Sequence, residues 1–341
     1  MMEALKGFRH FETHHCVTGS MRHIYAFNGH DLSEDLLLGL GEGVGFAYFH
    51  FKGQLPFLGG RAQPKPSMEE IAGERTGVIV RQKGSSSDAA AQKALLSRLE
   101  AGEPVMLQVD MGCLPYFDFG GQEYHFGGHV IVACGVDQSA GTVLVADREG
   151  PLHPVPLTAL SAARGSKFKP FPPGRASWAF DFSGFRGPRA DEVLLAITHQ
   201  AQLMLSPPIA NIGVKGIRKA AAEIARWDTL LDLGSLRGAL FNAWIFISAT
   251  GGTGGGAFRR MFSRFLTEAA AIAGRTSLAA SGSEFAAIAR DWDAVASDCH
   301  AAAEEASTGA RTAALPRISA AVARVADREE AAWRTLADAV R

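Results

Sequence analysis

Gly127-Gly128-His129-Val130-Ile131-Val132-Ala133-Cys134-Gly135-Val136-Asp137 is the stretch on which the fold turns. Its apolar run is that of a strand covered on both faces, yet it opens on an imidazole after two glycines. Taken alone, a histidine there reads first as a satisfied, partly buried side chain. A second run, Thr142-Val143-Leu144-Val145-Ala146-Asp147, follows after a turn through Ser139-Ala140-Gly141 and ends on a carboxylate. An antiparallel hairpin of this size brings Asp147 beside His129.

Working outward, further strands are expected at 44–51 and 105–111, and helices at 17–27, from Ser33 onward, and at 88–101. Ser33 is a natural N-cap with acidic residues in the turn behind it. This is an α+β pattern, helices first and then a mostly antiparallel sheet. From about residue 190 the chain reads as Ala-rich helix, at about 190–205, 214–232, 236–248, 257–274, 284–307 and 312–340. Ser206-Pro207-Pro208, Gly234 and Gly251-Gly252-Thr253-Gly254-Gly255-Gly256 interrupt it. Lys167-Phe168-Lys169-Pro170-Phe171-Pro172-Pro173-Gly174-Arg175 continues neither pattern and is expected to be the linker. Assigning the strand-like 176–182 to the first part gives domains 1–185 and 186–341.

The 341 residues favour two domains, and 47% hydrophobic content with 21 Phe supplies their cores. With 34 Lys+Arg against 35 Asp+Glu and no basic stripe, nucleic acid is not an expected partner. No secretory pattern and no apolar run of membrane-spanning length is visible, so a cytoplasmic protein with no membrane partner is expected. The four Cys, at 16, 113, 134 and 299, form no CxxC pair and are expected to be reduced.

Cys16 stands where the helix at 17–27 begins. A thiol in a helix's first turn gains from the dipole and from free amides, which also suit an oxyanion. By itself it reads more readily as a small buried residue; the ordered set of Cys16, His129 and Asp147 strengthens the nucleophile, base and orienting roles. His14 and His15 adjoin the thiol and are read as shaping the site. Metal is not expected, because no second ligand pair accompanies a zinc-type spacing. Asp110 either binds an amine or caps a turn. The glycine run before Phe258-Arg259-Arg260 either holds an anion or serves as a hinge or lid.

His15-Cys16, Leu32-Ser33-Glu34, Gly39-Leu40-Gly41, Gly45-Phe46, Asp110, Leu114-Pro115-Tyr116, Gly128-His129 and Asp147 together resemble the N-terminal domain of the butirosin biosynthesis protein H family. Residues from roughly 190 to 335 resemble the uncharacterised helical domain that often follows it. The resemblance implies a papain-like fold with a C-terminal helical domain, and a cysteine acyltransferase passing an acyl group from a carrier-protein thioester to an amine. Cys16, His129 and Asp147 would be catalytic, and Asp110, Tyr116, His15, Ser33 and Glu34 would lie on the substrate. Arg259 would meet a phosphopantetheine phosphate, the carrier's own group and the only cofactor implied. The expected partners are an acyl carrier protein or other acyl thioester and an amine-bearing small molecule, with a homo-oligomer left open. A hydrolase with the same triad, and a noncatalytic binding or assembly protein, are the alternatives.

Overall fold

The computed structural model describes residues 2–62 and 66–341. In chain order the elements are α1 (Cys16–Phe27), α2 (Glu34–Leu40), β1 (Ala47–Phe49), β2 (Phe57–Gly59), α3 (Met68–Thr76), β3 (Ile79–Lys83), α4 (Asp88–Glu100), β4 (Val105–Val109), β5 (His129–Asp137), β6 (Thr142–Ala146), β7 (His153–Pro156), α5 (Leu157–Gly165) and β8 (Ser177–Asp181). Helices α6 (Ala190–Leu205), α7 (Gly213–Ile224), α8 (Trp227–Leu230), α9 (Leu233–Ile247), α10 (Arg259–Ala273), α11 (Thr276–Glu304) and α12 (Thr308–Val340) complete it. No described helix is long and apolar enough to cross a membrane.

Two compact units divide the chain: residues 1–37 with 77–185, and residues 38–76 with 186–341. The break after Phe185 is where the sequence places it, but the segment 38–76 belongs with the helical unit and not with the first domain. The reason is visible in the segment itself. β1 pairs with the short β2 and bridges from Ala47 to Ile212, and the Tyr48 and Gly213 amides bond the carbonyls of Asn211 and Phe46 respectively, tying β1 to the entry of α7. Phe46 stacks on Trp292 of α11 at 5.5 Å. The stretch expected as a linker, 167–175, is instead a loop between α5 and β8 inside the first unit, fixed by the Arg175 amide on the Arg164 carbonyl.

In the first unit, six strands form a sheet in the order β3-β8-β4-β5-β6-β7, antiparallel throughout. β5 is buried along seven consecutive residues because α1 covers it on one side and α4 on the other, which explains the unbroken apolar run. Leu95 and Leu99 of α4, Leu160 of α5 and the alternating Val105, Leu107, Val109 and Ile131, Ala133 form one core. Ser87 caps α4 by accepting the Ala90 amide, with Asp88 and Arg98 at the ends that suit their charge. In the second unit, α10, α11 and α12 pack together, with α7 on α12 and α9 on α11.

Candidate active site

α1 begins at Cys16, with His15 as N-cap, its ring nitrogen accepting the Thr18 amide. The first intrahelical bond runs from the Gly19 amide to the His15 carbonyl, so the amides of Cys16 and Val17 precede the helix ladder. The turn into the helix is held from outside. Glu34, at the start of α2, accepts the amides of His14 (2.9 Å) and His15 (3.2 Å), and the Thr13 amide donates to the Arg148 carbonyl at 2.7 Å.

The hairpin register delivers the other two groups. Val132 lies opposite Ala146, so the register continued by one residue puts Asp147 opposite Ile131 and diagonal to His129, which shares Ile131's face. His129 Nε2 meets Asp147 Oδ2 at 2.7 Å, both residues buried. The ring's other nitrogen, Nδ1, is left for the hydrogen bond with the half-buried Cys16. The Tyr116 hydroxyl donates to the same Asp147 oxygen at 2.8 Å, and the Arg148 amide donates to Oδ1 at 2.7 Å. Phe117 sets its ring edge-on to His129 at 5.6 Å.

Burial alone pushes the Cys16 thiol up. The hydrogen bond and charge of His129, the Arg148 guanidinium and the Val130 amide outweigh it and bring the thiol below its ordinary value. Burial likewise disfavours a charged His129, but the Asp147 carboxylate and the Cys16 thiolate raise it to about 9. Asp147, pushed up by burial, is drawn down to about 2 by His129, with the Arg148 amide and the Tyr116 hydroxyl. The shifts of His129 and Asp147 are one interaction seen from each end, an imidazolium held by a carboxylate, and that charge favours ionisation of the Cys16 thiol. The other thiols go the opposite way: burial raises Cys113, and it pushes Cys134 and Cys299 up to about 12. Cys16 is the activated thiol of the four.

Of the remaining sequence candidates, Ser33 takes the N-cap place expected of it and His15 shapes the turn at the thiol. His15 caps α1, Ser33 caps α2 by accepting the Leu36 amide, Glu34 braces the turn before Cys16, and Tyr116 orients Asp147. Burial raises Glu34 against the pull of those two amides. Asp110 is fully buried, with its oxygens taken by the amides of Gly112 and Phe126, His125 Nδ1 (2.8 Å) and the Ser166 hydroxyl (2.6 Å). It ties together the loop between β4 and β5 and does not offer its charge to a ligand. Asp110, Cys113 and His125 bring three metal-type ligand atoms within 4.8 Å of one another, where the Asp110 oxygens already meet the groups just named.

Arg259 is also withdrawn. Its side chain is 0% exposed, paired with Glu329 at 2.7 Å and 2.8 Å and bonded to the carbonyls of Gly45 and Ala257. Arg260 pairs with Asp293. The glycine run runs through a left-handed turn, five successive residues from Gly254 to Phe258 having positive φ. Its amides are already used, Gly255 on Thr253 Oγ1, Gly256 on Asp293 Oδ1 and Ala257 on the Ile247 carbonyl. The run is a packing device: a Cβ on Gly256 would lie 2.5 Å from Ala289 Cα. Two parts of the site escaped sequence reasoning, the Arg148 charge and the Val130 amide. Only the position of Arg148 directly after Asp147 offered any signal. His10, a rival for the base role in the sequence, instead sets its Nε2 3.1 Å from the Asp147 carbonyl.

An α+β unit bearing a Cys–His–Asp constellation, in one chain with a helical unit, is thus the class that fold and site define. Residues 15–148 match the model of the N-terminal domain of butirosin biosynthesis protein H, and residues 158–336 match a domain of unknown function, DUF4872. The chain belongs to the butirosin biosynthesis protein H family, with that second domain following the first. Comparison with curated proteins gives no match.

Proposed function

We propose that this protein is a papain-like cysteine acyltransferase of secondary metabolism that moves an acyl group from a thioester to an amine. The observation that carries this reading is the pairing of a lowered Cys16 thiol with a raised His129, oriented by Asp147 at 2.7 Å. Family membership supports the biosynthetic setting. Cys16 as thiolate attacks the thioester carbonyl, and the oxyanion is met by the amides of Cys16 and Val17. The donor's thiol leaves, taking the proton from His129, and an acyl-Cys16 thioester remains. The amine then attacks, His129 accepts its proton, and the thiolate is released as the amide forms. An acyl carrier protein is the proposed donor and an amine-bearing small molecule the acceptor.

Intact-mass spectrometry after incubation with a panel of acyl thioesters tests this, with Cys16→Ala run alongside. An adduct equal to the acyl group, absent in Cys16→Ala and cleared faster by added amines, is expected. An adduct cleared by water at the same rate with or without amines assigns the site to hydrolysis. No adduct, together with a Cys16 that resists alkylation below neutral pH, removes the catalytic reading.

A further inference from the structure

Arg164, on α5, is a buried cation without a counter-ion. It is 4% exposed and makes no ion pair among the described residues. Nη1 and Nη2 reach only the carbonyls of Ala91 (3.1 Å) and Arg175 (3.4 Å), and Nε has no partner. A guanidinium taken out of water in this way is costly unless an anion meets it. The Arg175 guanidinium adds a second positive charge nearby, which the Asp88 carboxylate only partly offsets. Burial and the Arg175 charge push Arg164 down to about 10.

The same arginine lines a cavity of about 360 Å³ between α4 and the β4–β8–β3 edge of the sheet. Lys83, Arg98 and Arg175 also line it, with the hydroxyl-bearing Ser85 and Ser177, and no acidic residue does. Two carboxylates touch this set from outside. Asp88 bonds Arg175 at 2.5 Å, and the exposed Glu103 bonds Arg98 at 3.2 Å. Four basic side chains thus face two carboxylates, with Asp88 acting on both Arg175 and Arg164, so a cavity of small-ligand size carries a net positive wall.

We infer that this cavity is a binding site for a phosphoryl group, carried by a phosphate ester. Guanidinium forks and hydroxyls match tetrahedral oxyanions, and a doubly charged group offsets the excess of two positive charges in this set. The site is independent of the chemistry proposed for Cys16, and Cys16→Ala retains it.

Calorimetric titration with inorganic pyrophosphate, against sodium chloride of equal ionic strength, is the test. Saturable binding is expected in the full chain, weakened about tenfold or more in Arg164→Met and in Lys83→Glu. Lys83 is exposed, so its variant remains informative if the loss of Arg164 disturbs folding. Coenzyme A displacing pyrophosphate identifies a soluble ester as the source; displacement only by a phosphopantetheine-bearing carrier protein identifies the carrier. No saturable binding, wild-type binding in Lys83→Glu, or displacement by neither ester overturns the inference.

Discussion

An isolated thiol is only a few per cent ionised at neutral pH, and what changes that for Cys16 is mostly one residue away in the network. Asp147 holds His129 up to about 9, and His129 holds Cys16 below its ordinary value. His129 therefore keeps its proton up to about pH 9 while Cys16 ionises more readily than a free thiol, and turnover should fall on the alkaline side as His129 loses its proton. The linkage to stability has two limbs. His129 is raised, so its contribution is complete below about 6.5 and is lost as pH rises through about 9. Asp147 is lowered, so its contribution is complete above 3.8 and is lost as pH falls through about 2. Asp147→Ala should return His129 toward 6.5, move the acid limb of Cys16 alkylation upward, and lower kcat/KM at pH 7 by roughly ten- to a hundredfold. The pH dependence of iodoacetamide labelling, followed by mass, checks it.

At the scale of elements, the alignment of Cys16 with the hairpin depends on α1 lying close against the chain before it. Gly19 permits this: a Cβ there would fall 2.2 Å from Thr13 Oγ1, and the Thr13 amide holds the Arg148 carbonyl beside Asp147. Gly19→Ala should therefore shift the thiol relative to His129 and cost about a hundredfold in turnover. Circular dichroism should show the helix content unchanged, which separates misalignment from unfolding. The hairpin carrying His129 and Asp147 was legible because its period, turn and terminal carboxylate are local signals. So were α4, through apolar spacing, and most of α6 to α12, through Ala-rich composition and the Pro and Gly breaks between them. β2, β3, β7, α3 and α5 were not, being short or weakly periodic; β3, for example, is buried only at Val80. Asp110 does cap the turn after β4, one of its two readings, but its further partners and the role of Arg259 were illegible for another reason. A charged residue in the sequence looks the same whether it faces a ligand or spends its charge on distant backbone and side chains.

At the scale of the whole molecule, the helical unit is pinned by a buried ionic knot. Glu329 accepts the indole N–H groups of Trp292 (2.7 Å) and Trp333 (3.0 Å) besides Arg259, and Arg259 reaches back to Gly45 in the early segment. Glu329→Gln leaves a buried guanidinium without its countercharge, and a loss of about 3–5 kcal/mol is expected in urea unfolding. Arg259→Met combined with Glu329→Gln should recover part of it, since the pair is then removed together.

The interleaving of the units runs against the order of synthesis. Residues 38–76 emerge from the ribosome early, carrying Leu38, Leu40, Phe46 and Tyr48, all of which end buried. Their packing partners begin at residue 186. The first family segment, 15–148, thus contains part of the helical unit, while the second, 158–336, contains α5 and β8 of the sheet unit. A nascent chain must complete the sheet around a stretch still waiting for its neighbours. Neither family segment coincides with one compact unit, so cutting the chain between them would leave each unit without part of itself.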